Sequence, residues 1–194
     1  MLAWINSFVL AISTAMAVFL YILSVQPERL SLRIGPGAYK RCTVYRFIAM
    51  GFMFVAMASC ILYTFHPLPF LPRFLPWEYW VSIVLAVAIA IPSGYLVVRG
   101  VLDAGSEALI PRKEHQLYGG IYERVRHPQA WEALFWFVLA FLLHSPFLVL
   151  YAILWLPLEY WMIMAEEPDL LLRFGQDYAE YRRRTPAFLP RLKK

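Results

Sequence analysis

The length of the apolar runs limits this chain more than any other feature. Leu2 to Ser24, Thr43 to Phe65 and Glu78 to Val101 are each almost free of charge. Each is about as long as the roughly 20 apolar residues that a helix needs to cross a bilayer. The first two runs stop at Gln26-Pro27 and His66-Pro67. The third contains Pro92 and Gly94, which predict a kink or a close packing contact there. A further apolar region, Ala130 to Met164, is broken at His144-Ser145-Pro146. It reads as two helices joined by a tight turn, the first short enough to tilt or to sit shallow. The expected fold is therefore an all-α integral membrane protein with five transmembrane helices, the last two forming a helical hairpin. Composition points the same way, with 61% hydrophobic and 16% charged residues where soluble domains carry about a quarter charged. A chain of 194 residues cannot hide that much apolar surface in one core.

The charges predict orientation. A net charge of +5 would suggest nucleic acid in a soluble domain, but here the cations cluster between the apolar runs. That pattern points to topology and to membrane lipid head groups, with no nucleic-acid partner. Arg29, Arg33, Lys40, Arg41 and Arg46 fall between or beside the first two helices. Arg99, Arg112, Lys113, Arg124 and Arg126 follow the third, and Arg173, Arg182 to Arg184, Arg191, Lys193 and Lys194 occupy the tail. The opposite side holds only Arg73. The positive-inside rule then puts the N-terminus outside and the C-terminus in the cytoplasm, which needs an odd number of crossings. In a prokaryotic source this would be the cell membrane. Residues 166–184 carry Leu170, Leu171, Phe174, Tyr178 and Tyr181 at helical spacing among charges, which predicts a C-terminal amphipathic helix. Cys42 and Cys60 have no metal-type spacing, so neither a metal nor a disulfide is expected. No cleavable leader is expected, since the first apolar run lacks a basic lead-in and is long enough to span. No C-terminal prenylation box is expected either. No internal repeat is visible, which weighs against an inverted-repeat transporter.

The polar segments all fall on the predicted cytoplasmic side, so any chemistry belongs at that interface, where a water-soluble cofactor meets a lipid-borne substrate. His115, Gln116, Leu117 and Tyr118 lead into Gly119-Gly120-Ile121-Tyr122. The glycine pair is either an ordinary turn or a backbone that a ligand can approach closely. Arg126-His127-Pro128 starts a helix, Pro suiting its first turn. It is either a basic membrane anchor or a carboxylate site built from a helix N-terminus and two cations. Glu166-Glu167 can accept hydrogen bonds from a ribose diol or an ammonium, or can be a solvated helix start. Glu132 and Glu159 lie in apolar surroundings, where an acid usually has a partner or a role. Arg173 and Arg182 to Arg184 suit lipid phosphates, or bidentate contact with a substrate carboxylate. Trp131, Trp136, Trp155, Tyr160 and Trp161 fit a membrane belt, and one or two of them could stack on a nucleoside or face a sulfonium.

Taken in order, Gly120-Ile121-Tyr122, Arg126-His127-Pro128, Glu166-Glu167, Phe174-Gly175, Tyr178, Tyr181 and Pro186 to Pro190 resemble the isoprenylcysteine carboxyl methyltransferase family and its relatives, the phospholipid methyltransferases. The resemblance spans about Asp103 to Pro190, and the length and five-helix layout look closest to a compact prokaryotic member. It implies S-adenosylmethionine as cofactor, in a cytosol-facing pocket open to the bilayer for a lipidic substrate. It divides the chain into membrane helices over 1–101 (about 2–24, 43–65 and 78–101) and a catalytic region over 102–194. That region comprises a cofactor loop (102–129), the hairpin (130–164) and the amphipathic helix. It implies that His115, Gln116, Leu117 and Tyr118 hold the cofactor through their backbone. Tyr122, His127, Pro128, Gln129 and Ala130 would line its two ends, and Glu166 or Glu167 would bind a polar group. Arg126, His127 and Glu167 are the expected catalytic residues, and Trp131, Glu132 and Arg173 the expected substrate contacts. Two departures stand out. The family usually has a small residue and then Tyr after His-Pro, where this chain has Gln129-Ala130. The family also often has an Arg shortly before its Glu pair, where this chain has Trp161-Met162-Ile163-Met164.

The expected reaction is methylation of the carboxylate of a prenylated cysteine or a similar lipidic acid. Three rivals stand beside it: methyl transfer to a phospholipid or other lipid amine, a nicotinamide-dependent lipid or sterol reductase, and a small transporter.

Overall fold

The computed structural model describes residues 1–113 and 119–190. Among them the secondary structure is wholly helical. Helix α1 covers Leu2–Ser24 and ends where Gln26 and Pro27 begin. A short helix, α2, follows over Pro27–Ile34, and Gly35 closes it at a φ of 75°. Helix α3, Gly37–Phe65, starts six residues before the apolar run, so its first turns carry Lys40 and Arg41. Helix α4 is Tyr79–Ala104 and passes through Pro92 without a break. Helix α5 is only Ala133–Leu142, entered through a 3-10 segment at Pro128–Glu132. Helix α6, Pro146–Phe174, has 29 residues and holds Pro157 and Pro168. Helix α7 is Gln176–Arg184.

Four of these helices, α1, α3, α4 and α6, are long and apolar enough to cross a membrane. In the most apolar window of each, at most 39% of residues are buried within the chain. Phe8, Ile12, Phe54, Val84, Ile91 and Leu150 all face outward. Surface of that extent on four helices needs lipid around it. The protein is thus read as a multi-pass membrane protein.

The helices pack on small residues and aromatic rings. Ala56 and Cys60 of α3, Ala140 of α5 and Ala152 of α6 are buried in the central cluster, where small side chains let backbones approach. Trp136 stacks on Trp155 with centroids 4.8 Å apart. Thr14 of α1 and Tyr151 of α6 share a buried 2.7 Å hydrogen bond between hydroxyls. Residues 143–145 join α5 to α6, with His144 in the left-handed region at φ 51°. The Ser145 hydroxyl caps α6 by accepting from the Leu148 amide.

Helix α6 is about 43 Å long at 1.5 Å per residue, longer than the roughly 30 Å hydrocarbon core. It runs through Glu166 and Glu167 without a break and stops at Gly175, whose φ is 58°. The expected amphipathic stretch is therefore an extension of α6 followed by a separate α7. That extension reaches α2. The Asp169 carboxylate accepts hydrogen bonds from the Glu28 and Arg29 amides at 3.2 and 2.7 Å, capping the start of α2 from another helix. Asp169→Ala is expected to cost about 1 kcal/mol, the usual worth of a cap. Thermal unfolding in detergent checks this, with faster proteolysis near Arg29 as the local sign.

Close approach in α4 occurs at Gly100 rather than Gly94. A Cβ at Gly94 would meet nothing within 4 Å, whereas one at Gly100 would lie 2.9 Å from Cγ of Pro128. Gly100 thus lets the His-Pro segment press against α4. Tyr122 fixes the same contact by donating its hydroxyl to the Gly100 carbonyl at 3.1 Å.

Candidate functional site

The ends of α1 and α6, the turn that follows α4 and Arg46 of α3 surround an open cavity. Helix α6 supplies one wall through Glu159, Ile163, Glu166, Leu170 and Phe174. These positions recur every three or four residues and so share one helix face. Segment 122–130 forms the facing wall. Tyr122, Arg126, His127, Pro128, Gln129 and Ala130 all line the cavity.

A C-terminal strap holds that second wall. The Arg126 and His127 amides donate to the carbonyls of Pro186 and Ala187 at 2.9 and 3.0 Å. The Trp131 indole donates to the Phe188 carbonyl at 2.8 Å, and the Tyr181 hydroxyl donates to the Tyr122 carbonyl at 2.7 Å. Helix α7 and residues 185–188 therefore brace the His-Pro segment from outside. Burial pushes the Tyr178 and Tyr181 phenols well above their ordinary range, so both stay protonated.

Glu166 and Glu167 have different surroundings because successive residues point about 100° apart on a helix. Glu167 is 3% exposed and lies among three basic side chains. Its Oε1 accepts from Arg126 at 2.6 Å and lies 3.2 Å from Nε2 of His127, and its Oε2 is 3.1 Å from Nε of Arg182. Arg126 also donates to the carbonyls of Arg182 and Thr185, each at 2.8 Å. The Arg126–Glu167 pair thus ties α6, α7 and the His-Pro segment together. Glu166 lines the cavity, with its side chain 30% exposed and Oε2 at 3.6 Å from Nδ1 of His127. Of the two acids, Glu166 is the one positioned to meet a ligand.

The other expected residues divide as follows. Arg173 lines the cavity and pairs with Glu107 at 3.4 Å. Trp131 and Glu132 lie outside the lining among the described residues. His115, Gln116, Leu117 and Tyr118 lie outside the described residues. The loop that follows them is anchored by Asp103, which accepts from the Ile121 amide at 2.8 Å. No group of three His, Cys, Asp or Glu among the described residues is arranged to hold a metal ion.

The sequence pattern did not single out Tyr21, Glu107 or Asp169, it named Tyr178 without a role in the pocket, and it took Arg46 only as a marker of orientation. Arg46 carried a usable signal, since a charge inside an apolar helix demands a partner. The others become neighbours only through packing. No protein-family model, curated protein or solved structure matches the chain.

Proposed function

We propose that this protein is an integral membrane methyltransferase that uses S-adenosylmethionine to methylate the carboxylate of a prenylated cysteine or a similar lipidic acid. The observation that carries the proposal is that Tyr122, the His127-Pro128 start and Glu166 border one cavity, in the order in which they resemble the methyltransferase family. In this proposal α5 with its 3-10 lead-in makes a fifth crossing and forms a hairpin with α6. The N-terminus is outside, and the cavity opens to the cytoplasm.

The lining suits such a cofactor. Glu166 can accept from a ribose diol or an ammonium group. Tyr21 and Tyr178 offer aromatic surface for a purine ring or a sulfonium. The bound cofactor would supply an activated methyl group. A carboxylate is already ionised at neutral pH, so no residue has to remove a proton. The chain's task is alignment and exclusion of water, which can lower a barrier by roughly 7–11 kcal/mol when geometry is good. His127, held by Glu167 behind it and flanked by Glu166, orients the ligand. Arg126 and Glu167 position that wall.

Calorimetry with S-adenosylmethionine on detergent-purified protein tests the proposal. Micromolar binding is expected for the wild type. Glu166→Gln is expected to weaken it roughly tenfold, the worth of one hydrogen bond to a charged acceptor. His127→Ala should weaken it further while the protein stays folded. Absence of binding by folded wild type with its lipids retained would overturn the proposal.

Glu159 favours a second reading. It lines the cavity, is 8% exposed, and its Oε2 has no hydrogen-bond partner. A buried acid of this kind could hold the ammonium of a lipid amine, whose methylation needs a base. A rate that rises with pH through an amine pKa would select this reading.

A further inference from the structure

Among the described residues three arginines line the cavity, and one differs from the other two. Arg126 is paired with Glu167 at 2.6 Å and Arg173 with Glu107 at 3.4 Å. Arg46, on the inward face of α3, is 9% exposed. No carboxylate among the described residues lies within ion-pair distance of it. Its Nη1 donates to the carbonyls of Glu107 and Ala108 at 3.2 and 3.0 Å, and its Nη2 reaches the Ser24 carbonyl only at 3.5 Å. Its Nε is buried and has no hydrogen-bond partner, which is equally true of Nε of Arg126 and Arg173, so the missing carboxylate is what sets Arg46 apart.

Carbonyl contacts explain how the side chain is held, since Arg46 ties the end of α1 to the turn after α4. They do not neutralise it. A guanidinium is always charged; the nearby Glu107 carboxylate feels that charge but is itself paired with Arg173, and a buried charge with no counter-ion in direct contact is costly. Occupied and open donors are also segregated. Nη1 is taken up by backbone, while Nε and the weakly engaged Nη2 form one edge of the plane. That edge is the fork that accepts a carboxylate with two parallel hydrogen bonds.

We propose that Arg46 is the carboxylate-binding residue of this cavity, gripping its ligand through the Nε and Nη2 edge. This rests on the methyltransferase reading for its ligands, which offers two sources of a carboxylate: the amino-acid end of the cofactor and the acid head of the lipid. In the second case Arg46 takes the place of the arginine missing before Glu166. The fork would hold both carboxylate oxygens, and the remaining lone pair of one of them attacks the methyl carbon. The new C–O bond forms as the C–S bond breaks, its electron pair stays on sulfur, and no proton moves.

Two ligand pairs, titrated into wild type, Arg46→Lys and Arg46→Gln, test this. One pair is S-adenosylmethionine and its decarboxylated analogue. The other is a prenylated cysteine acid and its primary amide. Loss of the carboxylate from one pair should weaken wild-type binding roughly 10- to 100-fold. That preference should vanish in Arg46→Gln. Lys keeps the charge and the carbonyl contacts but not the fork, so Arg46→Lys should show a reduced preference, and it stands in if the Gln variant does not fold. The pair that shows the effect identifies the source. Equal binding of both members of both pairs to wild type, or a preference undiminished in the variants, overturns the proposal. Wild type that binds neither cofactor form but still prefers the lipid acid would sink the methyltransferase reading while upholding Arg46.

Discussion

Replacing Arg126 with methionine is expected to destabilise the protein by about 3–5 kcal/mol, the range found when one partner of a buried ion pair is removed. Three structural facts set the size. The Arg126–Glu167 contact is 2.6 Å long, and the two side chains are 9% and 3% exposed. Arg126 also satisfies the carbonyls of Arg182 and Thr185 at the end of α7. Its loss leaves Glu167 with only His127 and the half-exposed Arg182. The effect should be local before it is global, because α7 and residues 185–188 are tied to the rest largely through this segment. Thermal unfolding in detergent gives the magnitude. Limited proteolysis should show the chain after Phe174 cleaved first. A change below about 1 kcal/mol with an uncut tail would mean that the pair contributes little. A double change, Arg126→Met with Glu167→Leu, should recover part of the loss, since an apolar pair leaves no buried charge behind.

Gly120→Ala is expected to disrupt the loop that leads to the His-Pro segment, while Gly119→Ala should be nearly neutral. The two glycines are adjacent in sequence and unlike in structure. Gly120 has φ 67°, where a side chain is strained, and a Cβ there would run into the Asp103 carboxyl. That carboxyl holds the Ile121 amide, so the clash also breaks the bond that anchors Tyr122. Strain of about 1–3 kcal/mol and a lost hydrogen bond of about 1 kcal/mol give roughly 2–4 kcal/mol. At Gly119 a Cβ would meet nothing within 4 Å, and a surface change of this kind usually stays within about 0.5 kcal/mol. Parallel melting curves and S-adenosylmethionine titrations of the two variants check the contrast. Equal behaviour would mean that the glycine pair is an ordinary turn.

The helical membrane character was legible because it depends on composition over a span. A run such as Leu2 to Ser24 has few alternatives once its backbone must satisfy its own hydrogen bonds in lipid. The pairing of Asp169 with α2, some 140 positions earlier in the chain, was not legible, because no local pattern encodes a cap supplied by a distant helix. Glu166 and Glu167 looked interchangeable as a dipeptide. The helix turn between them sends one to the cavity and the other to Arg126, and only packing settles which side faces which neighbour.

Sequence alone determined that the chain is a bundle of apolar helices in a membrane, since run length and charge depletion set that through solvation. It also singled out Arg126-His127-Pro128 and the glutamate pair as unusual. Tertiary structure decided what each residue does. It made Arg126 and Glu167 a buried tie, left Glu166 facing the cavity, and brought Arg46 from an apolar helix to the same cavity with no carboxylate in contact and its Nε unpartnered. The physical reason is that solvation acts residue by residue along the chain, whereas the partners of a buried charge are chosen by helices that meet only on folding.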